Sequence, residues 1–270
     1  MTTKRQKIFR WIKIILLVYG SVGIALYYLQ EKFLFHPEKL ASDHVFEFDG
    51  KFMEFNIPVN KEDTISLVKF FPEDSIRKGI VLYFHGNMKN IERYAEYVKP
   101  FTKNGYEVWM EDYPGFGKST GKLTEKKLYD QALQVQKMAA AIIGTDSIIL
   151  YGKSLGTGIA AYVASVTEAK MLLLETPYYS IPHLFGTYAM IYPTASMSTY
   201  KIPTYEFVED VKEPIVIFAG TGDWVVPYRC AKKLSEHLKS GDLFITIEDS
   251  SHNNVNHAPR YYRAIDSLLN

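Results

Sequence analysis

Residues Gly152-Lys153-Ser154-Leu155-Gly156 set a serine between two glycines, directly after the apolar run Ile148-Ile149-Leu150-Tyr151 and before a helix-forming stretch. This spacing suits a turn so tight that only glycine avoids a clash on either side. The turn lifts the hydroxyl clear of the sheet edge, and the next helix points its positive end at it. A serine hydroxyl is too weakly acidic to attack a carbonyl unaided, so it needs a base, and the base needs a carboxylate to orient it. His252, five residues beyond Ile247, is the candidate base, and His257 competes for the role. Asp223, four residues beyond Ala219, is the candidate acid. Its competitor Glu175 could instead brace the serine loop or be a buried, paired carboxylate. The N–H of Leu155 and that of Asn87, with Met88 as the alternative, are candidate donors to a developing oxyanion. His85 reads as a packing residue beneath that loop, and Asp112 and Tyr113 as turn and pocket-floor residues.

Other chemistries fail on spacing. Gly-Lys-Ser occurs at 117–119 and at 152–154, but a phosphate loop needs a further glycine where Asp112 and Ser147 stand. HExxH and CxxC motifs are absent, so no metal and no cofactor is expected. Cys230 is the sole cysteine, which excludes an internal disulfide and reads as a packed thiol in a helix from Tyr228 to Leu238.

The elements that must position these residues follow from hydrophobic periodicity. Phe46-Glu47-Phe48 and Phe52 to Ile57 flank Asp49-Gly50 and predict a hairpin, with another strand at Thr64 to Phe71. Ile80 to Phe84, Val108 to Met110, Ile148 to Tyr151, Met171 to Leu174, Ile215 to Ala219 and Leu243 to Ile247 are short apolar runs, as strands covered on both faces should be. Helices are predicted at about Asn90 to Asn104, at Glu125 to Ile143 with Thr124 as cap, and at Pro259 to Leu269. Antiparallel strands leading into a doubly wound parallel sheet is the fold class, and ligands of such sheets bind beyond the carboxyl ends of the strands. Ser154, Asp223 and His252 all follow such ends.

Five motifs in this order resemble the small, membrane-anchored, serine-aminopeptidase-like or lipase-like branch of the α/β-hydrolases. They are Phe84-His85-Gly86-Asn87, Asp112 to Ser119, Gly152 to Gly158, Gly220 to Asp223 with Val226-Pro227, and Ser251-His252-Asn253. The likeness covers about residues 30–270. Ala219 departs from the family pattern, standing where a histidine is often found. The resemblance implies an α/β-hydrolase fold with a mostly parallel eight-stranded sheet, helices on both faces and a short cap at about 178–205. It also implies a serine hydrolase of carboxylic esters or thioesters, less readily of amides. The alternatives are a catalytically silent binding fold and acyl transfer to an acceptor other than water.

The N-terminus sets the location. Lys4, Arg5, Lys7, Arg10 and Lys13 come with no acid, and taking these five from the net charge of +1 leaves −4 on residues 14–270. That balance argues against nucleic acid as a partner. The run 12–29 is nearly all apolar and long enough to span a bilayer, with Trp11 and Tyr27-Tyr28 suited to its two interfaces. The expected organisation is a cytoplasmic basic tail (1–11), a transmembrane anchor (12–29), a collar (30–43) and a hydrolase domain (44–270). The positive flank keeps the N-terminus cytoplasmic, which puts the domain outside, periplasmic in a bacterium. The expected substrate is a small acyl or lipid-like molecule, bound in a fairly open cleft. Oligomeric state is left open by the sequence.

Overall fold

The computed structural model describes residues 3–73 and 77–270, so the first two residues of the basic tail lie outside it. Its ten strands are β1 (His36–Pro37), β2 (Phe52–Pro58), β3 (Thr64–Phe70), β4 (Gly79–Phe84), β5 (Met88–Lys89), β6 (Tyr106–Glu111), β7 (Ile148–Lys153), β8 (Met171–Glu175), β9 (Ile215–Gly220) and β10 (Leu243–Ile247). Eight form one sheet in the order β10-β9-β8-β7-β4-β6-β3-β2. From β10 to β6 all pairs are parallel, whereas β3 runs antiparallel to both β6 and β2. The strand order reverses at β4, which lies between β6 and β7, and there the loops after β4 and β7 face one another.

Alternation along the strands builds two cores. Leu82, Trp109, Leu150, Leu172 and Ile217 point to one face, where they meet Leu128, Val135 and Ile159 of the helices Glu125–Ala140 and Leu155–Val166. Val81, Tyr83, Val108, Ile149, Leu173 and Phe218 point to the other, against Phe101, Tyr261 and Ile265. Both faces are covered, which is why these runs are apolar without a polar alternation. Thr124 caps its helix, accepting from the Lys127 N–H at 3.2 Å.

Several elements differ from the sequence reading. Phe46–Phe48 is not a strand, and the hairpin is β2–β3, closed by residues 59–63. Phe48 instead packs its ring on Phe52 and Phe70 at 5.0 and 5.1 Å between centroids, so this segment lies over the sheet face. The helix predicted from Asn90 to Asn104 breaks into Ile91–Tyr94, a 3₁₀ turn Ala95–Val98, and Lys99–Thr102. Pro100 has no N–H to continue the ladder, and its ring crowds the preceding turn. The helix at Tyr228 ends at Leu234 and passes into a 3₁₀ turn at Ser235–His237. The N-terminal helix is continuous from Lys4 to Leu34, extending past both ends of the span 12–29. It is a candidate transmembrane helix, with mean hydropathy 1.9 over an 18-residue window.

Glu111, at the end of β6, is only 2% exposed, and neither carboxylate oxygen has a hydrogen-bond partner among the described residues. Burial is the largest cause that pushes its pKa from 4.5 to about 8; the nearby Gln131 amide opposes the rise and the adjacent Asp112 adds to it. The folded chain therefore keeps a proton that the unfolded chain releases, and stability falls as pH rises from about 4.5 to about 8. Glu111→Gln is expected to flatten thermal stability across that window. Melting temperatures at pH 5 and pH 8 in detergent check this, and parallel shifts of wild type and variant would count against it.

Candidate active site

The turn after β7 is built from the residues that flank the serine. Ser154 has φ 52° and ψ −116°, a backbone region costly for any side chain. A Cβ at Gly152 would strike the Gly156 carbonyl, and one at Gly156 would strike the Phe84 carbonyl of β4. Glycine at both places lets the new helix start hard against the sheet. The Ser154 N–H donates to the Glu175 carbonyl of β8 at 2.9 Å, which ties the strained residue to the neighbouring strand.

The structure brings Ser154, His252 and Asp223 together. Ser154 Oγ lies 2.9 Å from His252 Nε2, and His252 Nδ1 lies 2.7 Å from Asp223 Oδ2. The other oxygen of Asp223 accepts from the N–H groups of Val225 and Val226 at 2.9 and 2.8 Å, which fixes the carboxylate plane. All three side chains are buried or nearly so, which strengthens the contacts by excluding water. His257, the competing base, lies tilted against Tyr97 with ring centroids 6.0 Å apart and is not in this cluster.

Leu155 and Asn87 line the same cavity as Ser154. As the first residue of its helix, Leu155 has an N–H without an intrahelical acceptor. The Asn87 N–H has no acceptor among the described residues, whereas the Met88 N–H donates to Tyr94 Oη at 3.3 Å. Asn87 is held by the end of the N-terminal helix. Its side-chain amide donates to the Leu34 carbonyl at 2.7 Å, and its carbonyl accepts from the His36 N–H at 2.9 Å as β1 pairs with β5.

Beneath this loop His85 is fully buried between the rings of Tyr94 and Tyr113, at 5.0 and 4.2 Å. Tyr113 donates to the His85 carbonyl at 2.6 Å, and Asp112 accepts from the Ile91 N–H at 2.9 Å. Burial raises the Asp112 pKa, and His85 partly opposes the rise.

Glu175 takes a bracing position. Lys153 Nζ donates to one carboxylate oxygen and Tyr151 to the other, and Tyr261 lies 2.9 Å from the Tyr151 hydroxyl. Burial, with Glu175 as the next cause, pushes the Tyr151 and Tyr261 hydroxyls well above their usual range. The sequence reading gave Lys153 no role. The available signal was a lysine at the end of a buried strand, which demands a buried partner.

The cavity beside Ser154 measures about 350 Å³. Cap helix Ile181–Tyr188 covers one side, and the N-terminal helix supplies another through Leu26, Gln30, Phe33 and Leu34. No Asp, Glu, Lys or Arg lines it. Among the described residues, no group of three His, Cys, Asp or Glu side chains could hold a metal ion.

With the strand order and the serine turn established, comparison with known proteins gives the affiliation. The serine aminopeptidase S33 family of hydrolases matches residues 75–200. The chain belongs to the α/β-hydrolase superfamily. The chain is 31% identical over 186 residues to human protein ABHD12B, a match covering 61% of the chain and 51% of the relative. It is 29% identical over 175 residues to the lysophosphatidylserine lipase ABHD12 of Macaca fascicularis, covering 57% and 44%. The match thus spans about half the length of these curated relatives. Its fold superposes on a Pyrococcus furiosus esterase with a TM-score of 0.64 at 18% identity, covering 87% of this chain and 96% of that one. A Paleococcus ferrophilus monoacylglycerol lipase gives 0.57 at 18% identity, covering 76% and 98%.

The Lys153–Glu175 pair yields a prediction. Lys153→Met leaves a buried carboxylate without its cation and is expected to cost about 3–5 kcal/mol. Adding Glu175→Leu should recover much of that loss. Thermal unfolding of both variants measures it, and equal melting temperatures for wild type and single variant would remove the pair from the framework of the site.

Proposed function

We propose that this chain is a membrane-tethered serine hydrolase that cleaves carboxylic esters or thioesters through an acyl-Ser154 intermediate. The observation that carries the reading is the continuous bonded line Ser154–His252–Asp223 opening on an apolar cavity. Amides are the less favoured substrates. An aminopeptidase must hold a free α-ammonium, and the cavity wall offers no carboxylate for it.

Ser154 Oγ attacks the carbonyl carbon while His252 Nε2 takes its proton. Asp223 holds the imidazole with Nδ1 protonated and stabilises the imidazolium. The oxyanion accepts from the N–H groups of Leu155 and Asn87, already aimed because their backbones are fixed. Collapse breaks the bond to the leaving oxygen or sulfur, which receives the proton from His252. Water then attacks the acyl-enzyme, gives its proton to His252, and frees the carboxylic acid and the serine.

The exposed apolar N-terminal helix supports tethering, and its basic start supports a cytoplasmic N-terminus with the remainder on the far side. The relative named a lysophosphatidylserine lipase and the esterase neighbours support an acyl substrate.

Ser154→Ala is expected to abolish both p-nitrophenyl acetate turnover and labelling by a fluorophosphonate probe, and labelling retained in that variant would refute the nucleophile. Asp223→Asn should leave the fold intact and lower kcat by about 10⁴-fold, as loss of the orienting carboxylate does in such triads.

A further inference from the structure

The N-terminal helix does more than end near the cavity. Leu34 sits at the catalytic end, bonded to Asn87, and Leu26 lines the cavity two turns away toward the membrane. The helix therefore contributes a wall about 12 Å long, running from the nucleophile toward the bilayer. Gln30 locks the cap to this wall. Its amide donates to the Met197 carbonyl at 3.2 Å and accepts from the Thr199 N–H at 2.6 Å.

Beyond Leu26 the cap follows the helix further down. Tyr192 stacks on Tyr19 with ring centroids 4.6 Å apart, and Gly23 leaves room for its ring. Each tyrosine hydroxyl donates to backbone of the other element at 3.0 Å, Tyr19 to the Ile191 carbonyl and Tyr192 to the Tyr19 carbonyl. Polar groups paired off in this way suit a medium that offers no hydrogen bonds. Tyr19 lies about 12 Å along the helix axis from the interfacial Tyr27, on the membrane side.

The cap's composition agrees. Between Glu175 and Lys201 not one Asp, Glu, Lys or Arg occurs. Met190 is 83% and Ile191 73% exposed, and Tyr188 and Trp224 beside them are exposed too, with Tyr188 donating to the Val225 carbonyl at 3.0 Å. An uncharged, exposed apolar tip alongside a membrane helix marks a lipid contact, and Trp224 beside it suits the headgroup boundary.

We propose that the cap tip 188–192 is immersed among the acyl chains of one leaflet, and that the cavity, walled by Leu26 to Leu34 of the membrane helix, fills laterally from that leaflet with a lipid bearing one acyl chain. At about 350 Å³ the cavity is at the small end of ligand pockets, a size that suits a single acyl chain. The acyl chain lies along the helix wall, its ester at Ser154. This rests on the esterase reading above.

The test uses the full chain in phosphatidylcholine vesicles and reads immersion separately from hydrolysis. In Ile191→Cys carrying an environment-sensitive fluorophore, quenchers on lipid acyl chains should quench more strongly than quenchers on headgroups. Quenching no greater than at a Glu236→Cys control would overturn the immersion. Leu26→Trp fills the membrane end of the wall and should lower the ratio of palmitoyl to butyryl ester turnover by at least about tenfold. An unchanged ratio would overturn the wall. Acyl-chain quenching in a wild type that hydrolyses neither ester would sink the esterase reading and lateral filling with it.

Discussion

The close approach of the turn after β7 to the end of β4 governs the site. Gly156 touches the Phe84 carbonyl so nearly that no side chain fits, and Ser154 takes up the strain. Because β4 and β7 are adjacent strands, that contact sets the serine beside the loop bearing Asn87. Both proposed oxyanion donors are therefore placed by backbone, not by side-chain rotamers. The strain is held by the Ser154–Glu175 backbone bond and by the buried Lys153–Glu175 pair below it.

Buried polar groups surround this strained turn in layers. His85, Asp112 and Tyr113 support the loop after β4, while Glu175, Tyr151 and Tyr261 support the loop after β7. Each group finds a partner on a neighbouring element, so the layers lock strand ends together as well as satisfying themselves. Glu111 differs in that neither of its carboxylate oxygens is bonded among the described residues, and the cost is avoided by keeping its proton.

The parts legible in the sequence were those with a local cause. Glycines around Ser154, apolar runs covered on both faces, and the order of polar residues after them needed no long-range knowledge. What escaped was decided by partners far along the chain. Phe46 to Phe48 alternates as a strand would, yet its aromatic rings gain more by lying over Phe52 and Phe70. The interruption around Pro100 has a local cause too, since a proline lacks the N–H that continues a helix. Nothing local in residues 30–34 marks them as the continuation of a helix and the wall of a cavity, because that role depends on Asn87 and the cap. The uncharged stretch after Glu175 was visible as composition, but only its placement against Tyr19 gave it meaning.

Tyr19 and Leu34 fasten the N-terminal helix to the globular part at two points about 22 Å apart along its axis. A rod pinned twice cannot swivel. A domain hung from a flexible tether samples every orientation above its anchor, whereas here the inclination of the rod fixes which rim of the sheet would face the proposed bilayer.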